Sequence, residues 1–273
     1  MGNMKYTVLA TDLDGTLTNN QKELTERTKA AIRRAQEAGM HVVLASGRPY
    51  AGCWYVAEKL ELEKTGGYIL AFNGGQIVDC KTKEVLYSKN IDKSFLPEIF
   101  QAARKFGVVG LTYEGDVIVS EVPDDVYVQK ECFINKIGVK QVESLEEYVT
   151  WSVPKCMIVA DHEKLLPVKE YLDEKFGDQL SIYFSEPFFL EIMADGVNKA
   201  QSMEALVKLL GTDREHVIGC GDGMNDISLI EFAGLGVAMA NACDAVKAAA
   251  NYQAASNEED GVAQMLEEIL YEV

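Results

Sequence analysis

Both ends of this chain alternate short apolar runs with helical stretches, and the middle does not. That interruption constrains the fold more than any other feature. The runs at residues 6–13, 41–45 and 68–72 are apolar along most of their length, the pattern of strands covered on both faces. Helical stretches at 25–38, stopped by Gly39, and from Pro49 to about residue 60 separate them; proline suits a helix's first turn. Asn73-Gly74-Gly75 closes the third run with a strong turn signal. Alternation of this kind predicts a parallel sheet with helices on both faces.

From about residue 81 to 187 the texture changes. Short alternating runs at 108–113 and 117–119 flank Gly115-Asp116 and read as a hairpin. A strand at 156–160, a helix near 164–175 and a strand at 180–185 continue an α+β pattern. After Glu191 the first texture returns. Met203, Leu206, Val207 and Leu210 form an i, i+3, i+4, i+7 helical stripe, followed by a strand at 217–221, a helix at 226–232 and a strand at 235–239. The simplest account is an α/β domain formed by residues 1–81 and 188–273 and split by a separate α+β domain at 82–187.

The 273 residues are 48% hydrophobic and 25% charged, which suits globular domains with a sizeable core. The net charge of −17 disfavours nucleic acid and anionic membranes as partners. It also repels an anionic substrate at long range, so any phosphate site must build its own positive potential. The six cysteines form no C-x-x-C pair and read as free thiols of a reducing compartment; with three histidines, a zinc cluster is not expected. No signal-peptide pattern and no membrane-length apolar run is present, and a cytoplasmic protein is expected.

Asp12 and Asp14 sit two apart at the carboxyl end of the first run. Period two puts both side chains on one face, and ligands of open α/β sheets bind at that edge. Gly15 permits a sharp turn, and Thr16 offers a hydroxyl and an N–H to an anion. An acidic turn is common for D-x-D alone, but the full D-x-D-G-T arises by chance in well under about one chain in a hundred at average residue usage. Gly221-Asp222-Gly223-Met224-Asn225-Asp226 follows another strand. By itself it is an ordinary Gly- and Asp-rich turn; its placement makes it a second carboxylate cluster on the same edge. Carboxylates about 4 Å apart repel by roughly 4 kcal/mol at an effective dielectric near 20. A hard divalent cation relieves that repulsion, and an oxygen-only donor set suits Mg²⁺. Ser46 and Gly47, after the second strand, offer a hydroxyl and N–H groups beside a helix start. A lone lysine is usually solvated, but Lys199 opens a helix bordering the same edge. No P-loop, complete G-x-G-x-x-G or G-x-S-x-G elbow is present.

These residues resemble the haloacid dehalogenase (HAD) superfamily, and within it the Cof-like phosphatases that carry a large inserted cap. Four segments carry the resemblance: residues 10–17 around Asp12-Leu13-Asp14-Gly15-Thr16, residues 44–49 around Ser46-Gly47-Arg48, Lys199 after Val197-Asn198, and residues 219–226 followed by 236–242. Ala71-Phe72-Asn73-Gly74-Gly75 and residues 257–263 are also similar to family segments. Ala200 departs from the glycine that relatives often carry there. The resemblance implies a Rossmann-like core with an α+β cap and a Mg²⁺-dependent phosphatase. In it Asp12 attacks phosphorus, and Asp14 protonates the leaving oxygen and then activates water. Asp12, the Asp14 carbonyl and Asp222 hold Mg²⁺, while Thr16, Ser46, Gly47, Lys199 and Asn225 bind phosphate. Asp226 stands behind them, orienting Lys199 or a metal-bound water. The expected partner is a small phosphorylated metabolite such as a sugar phosphate or a phosphorylated cofactor, acted on by a monomer or homodimer.

Three alternatives remain at this stage. A phosphomutase on the same scaffold would return the phosphoryl group to its substrate. A signalling receiver gathers similar acids but needs only one small domain, and the second aspartate of D-x-D argues against it. A non-catalytic phosphate-binding protein would not need the complete set of reactive side chains.

Overall fold

The computed structural model describes residues 5–271. The chain divides into two compact units: one comprises residues up to Gly47, Cys53–Tyr87 and the chain from Asn198 onward, and the other comprises Arg48–Gly52 and Ser88–Val197. In chain order the strands are β1 (Val8–Thr11), β2 (His41–Ala45), β3 (Tyr68–Ala71), β4 (Gln76–Asp79), β5 (Val85–Ser88), β6 (Val109–Glu114), β7 (Val117–Ser120), β8 (Gly138–Gln141), β9 (Cys156–Val159), β10 (Leu180–Glu186), β11 (Phe189–Ala194), β12 (Val217–Gly221), β13 (Leu235–Ala238) and β14 (Tyr252–Gln253).

The first unit is built on a sheet ordered β14-β13-β12-β1-β2-β3-β4-β5. Its strands from β14 to β3 are parallel, and β4 turns back antiparallel on β3. All four residues of β1 and all five of β12 are buried, as expected of central strands covered on both faces. The helix Glu26–Glu37 starts where the Thr25 hydroxyl caps the Thr28 N–H, and it turns Thr28, Ala31, Ile32 and Ala35 inward. The helix Lys199–Leu209 is capped by the Asn198 side chain and buries Lys199, Ser202, Met203, Leu206 and Val207. Four of the last five side chains match the apolar stripe or the motif lysine read from the sequence.

The second unit carries a sheet ordered β10-β11-β9-β6-β7-β8, antiparallel throughout except for the β7–β8 pair. Ile99, Phe100, Leu165, Val168 and Leu172, from the helices Leu96–Lys105 and His162–Phe176, pack with Ile158, Leu190 and Ile192 of the sheet. The hairpin at Gly115-Asp116 forms as expected, with Glu114 opposite Val117. The unit's ends fall at 88 and 197, not at 82 and 187. The cause is β11: Ile192 pairs with Ile182 on one side and Cys156 on the other, so this strand belongs to the insert's sheet. Arg48–Gly52 also groups with the insert, where Arg48 donates a hydrogen bond to the Ile134 carbonyl at 2.9 Å. Among the described residues, no helix is long and apolar enough to cross a membrane.

Candidate active site

The carboxyl ends of β12, β1 and β2 lie side by side, so the residues following them converge on one edge of the first unit. The Asp12 N–H extends the β1–β12 pairing by donating to the Cys220 carbonyl at 2.9 Å. Beyond Asp12 the chain turns: the Thr18 N–H and hydroxyl both return to the Leu13 carbonyl, at 2.9 and 2.8 Å. Gly15 makes the turn at φ +84°, where a β-carbon would collide with the Asp222 carboxylate. The D-x-D-G spacing is thus set by how closely the β1 and β12 loops approach.

Lys199 is wholly buried, and its ammonium donates to Asp12 Oδ1 at 2.7 Å, Asp226 Oδ1 at 2.5 Å and the Ala45 carbonyl at 2.7 Å. One cation therefore ties β1, β2 and the β12 loop together. Asp226 uses its other oxygen to accept the N–H groups of Asp222 and Gly223, at 3.0 and 2.9 Å. Both of its oxygens are engaged in holding Lys199 and the loop.

Oxygens of Asp12, Asp222 and Asp226 all lie within 4.8 Å of one another. Burial pushes the Asp12 carboxyl up to about 8, with Lys199 pulling it down and Asp226 raising it further. Burial also raises Asp222, with the Thr16 hydroxyl opposing and Asp226 adding to the rise. For Lys199, burial alone would lower the ammonium, but Asp12 and Asp226 outweigh it and hold it above its ordinary value. Three carboxylates around one ammonium leave excess negative charge in a buried site. An oxygen-only donor set with that excess fits a hard divalent cation.

Ser46 is buried and its carbonyl accepts the Asn73 N–H at 2.9 Å; Gly47 follows it at the same edge. Asn225 is exposed and its amide donates to Asn73 Oδ1 at 2.9 Å. The Thr16 hydroxyl donates to Asp222 Oδ1 at 2.8 Å and so orients a carboxylate. Asp14 is partly exposed, and Lys22 lies 2.9 Å from its Oδ1.

The sequence profile of haloacid dehalogenase-like hydrolases matches residues 9–266. The chain belongs to this family. Among hydrolases of this group, a haloacid dehalogenase-like hydrolase from Bacteroides thetaiotaomicron is 43% identical and superposes with a TM-score of 0.93, covering 97% of this chain and 100% of that one. The structure of the HAD subclass IIB sugar phosphatase BT4131 is 26% identical, with a TM-score of 0.80 over 96% of this chain and 98% of that one. The 5-amino-6-(5-phospho-D-ribitylamino)uracil phosphatase YitU of Bacillus subtilis (strain 168) is 31% identical over 96% of each chain.

Two residues of this hydrolase's site escaped the sequence reading. Asn241 donates to the Gly15 carbonyl at 2.8 Å and to Asp222 Oδ2 at 3.3 Å, fixing the β1 and β12 loops against each other. Lys22 reaches Asp14 from a backbone at φ +63°. Asn241 stood in a segment noted only for its likeness to relatives; nothing in the spacing of Lys22 pointed to Asp14.

Proposed function

We propose that this hydrolase is a Mg²⁺-dependent phosphatase that cleaves phosphate monoesters of small metabolites through an aspartyl phosphate on Asp12. The observation that carries this reading is the buried Lys199 ammonium shared by Asp12 and Asp226. It fixes one oxygen of Asp12 and leaves the other for attack on phosphorus. Asp14, two residues on and more exposed, suits proton transfer: it donates to the leaving oxygen and then takes a proton from the attacking water. Ser46, Gly47, Lys199 and Asn225 supply donors for the phosphoryl oxygens. Asp226 keeps Lys199 in place, and Thr16 with Asn241 keeps Asp222 in place. Mg²⁺ bound by Asp12, the Asp14 carbonyl and Asp222 would neutralise charge on the phosphoryl group.

Leaving-group choice is assigned to the inserted unit, because every candidate for the chemistry lies outside it. The relatives include a sugar phosphatase and a 5-amino-6-(5-phospho-D-ribitylamino)uracil phosphatase, which supports sugar phosphates or phosphorylated cofactors as the substrate class. The test is hydrolysis of p-nitrophenyl phosphate with Mg²⁺ and with chelator, followed by mass analysis of acid-trapped protein. Full activity in chelator, or phosphate on any residue other than Asp12, refutes the reading. A panel of phosphate monoesters then ranks substrates.

A further inference from the structure

The turn after β3 has a backbone that its residues do not favour. Phe72, Asn73 and Gly74 all adopt positive φ, at +52°, +52° and +103°. Asparagine and glycine tolerate that region, but a buried phenylalanine does not. Such strain persists only where the surroundings over-determine it, and it concentrates at functional positions. Here the surroundings are three loops of the candidate site. The Asn73 N–H donates to the Ser46 carbonyl at 2.9 Å. The Asn73 side-chain oxygen accepts the Asn225 amide at 2.9 Å, and a β-carbon on Gly47 would lie 3.2 Å from the Asn73 amide. Gly74 sits against the Asn198 carbonyl, one residue before Lys199, with no room for a side chain.

From this geometry we propose that Asn73 is a positioning residue for the phosphoryl group, setting the distance between the Ser46-Gly47 donors and Asn225. It touches those residues and acts through them. Substrate phosphate recognition in this chain then depends on a fourth strand end, that of β3, as well as those of β1, β2 and β12. The proposal rests on the phosphatase reading above.

The test compares Asn73→Gly, Asn225→Ala and the double variant. Glycine accepts the positive φ, so the side chain is removed without new backbone strain. The readouts are kcat/KM for p-nitrophenyl phosphate, the inhibition constant of inorganic phosphate, and Tm. Each single variant should lose roughly tenfold in kcat/KM and in phosphate affinity, and the double variant should lose no more than the worse single, because the two side chains act as one unit. Gly47→Ala pushes the same amide from the opposite loop and should cost several-fold, a check that does not depend on the folding of Asn73→Gly. Losses that multiply to roughly a hundredfold in the double variant overturn the proposal. So does an Asn73→Gly enzyme within twofold of wild type in both kinetic readouts, or one whose losses are fully explained by a fall in Tm. A wild-type chain that neither hydrolyses the ester nor binds phosphate overturns the phosphatase reading itself; an active wild type with an indifferent Asn73 overturns only this inference.

Discussion

Replacing Lys199 by methionine removes the ammonium from between Asp12 and Asp226 while keeping a side chain of similar length. The lysine is wholly buried, and Asp12 and Asp226 are 6% and 1% exposed, so water cannot take over its role. Breaking a buried pair by removing one partner costs about 3–5 kcal/mol, chiefly because a charge is left uncompensated. Here two carboxylates and the Ala45 carbonyl lose their donor at once. Proton uptake caps the damage: Asp12 already sits at about 8, so near neutral pH it takes a proton instead of remaining as a bare anion. The expected loss is therefore at the lower end, about 3 kcal/mol near pH 7 and more at pH 9. In Tm that is roughly 6–12 °C for a unit of this size. The assay is urea unfolding in EDTA, followed by fluorescence. Trp54 lies in the first unit and Trp151 in the second, so a Trp151→Phe background reports the core alone. At pH 9, where Asp12 would otherwise remain ionised, adding Asp12→Asn to Lys199→Met should restore most of the loss, since one of the two stranded charges is gone. A Lys199→Met loss under about 1 kcal/mol, or additive effects in the double variant, would refute the account of Lys199 as the electrostatic centre of the site. Because the folded ammonium lies above its ordinary 10.5, its contribution persists at all lower pH and disappears only in strong alkali.

Three further outcomes follow from the same site and its surroundings. The raised Asp12 carboxyl means that the folded chain holds a proton the unfolded chain has released between about pH 4 and pH 8, so in chelator this residue makes stability fall as pH rises; the stability advantage of Asp12→Asn should grow from pH 5 to pH 8, and a pH-independent difference counts against the shift. Asp14→Asn should show a burst of about one phenol per site from p-nitrophenyl phosphate followed by slow turnover, and no burst with an alkyl phosphate, in rapid-quench experiments; equal behaviour with both esters removes Asp14 from proton transfer. Five of the six cysteines are buried and Cys243 is exposed, and burial pushes the Cys156 thiol up to about 12. A thiol reagent should therefore modify one cysteine in the native protein and six in denaturant, and peptide mapping to any residue but Cys243 would contradict the packing.

Much of the site was legible because its chemistry is written locally. Asp12, Ser46 and Asp222 each follow an apolar run directly, so their place at strand ends needs only the strand assignment. What the sequence could not supply was adjacency between distant segments. Nothing local to Thr16 shows that Asp222 lies opposite its hydroxyl. Asn241 and Asn73 act across strand boundaries, and their roles appear only once β12, β1, β2 and β3 are known to be neighbours. The end of the insert is hidden in the sequence for the same reason. β11 reads as a buried strand wherever it is placed, and only its pairing with β9 and β10 assigns it to the insert.

The order of segments along the chain also sets the order of folding. The insert's sheet is contiguous in sequence, from β6 to β11, whereas the core pairs Val8 with Val217, a closure over roughly two hundred residues. During synthesis at about 5–20 residues per second, β1 waits on the order of 10–40 s for its β12 partner, leaving one hydrogen-bonding edge open. Every strand of the insert's sheet is made before β12. The nascent chain can therefore close the sheet in its middle while β1 still presents an open, aggregation-prone edge, the edge that later borders the candidate site.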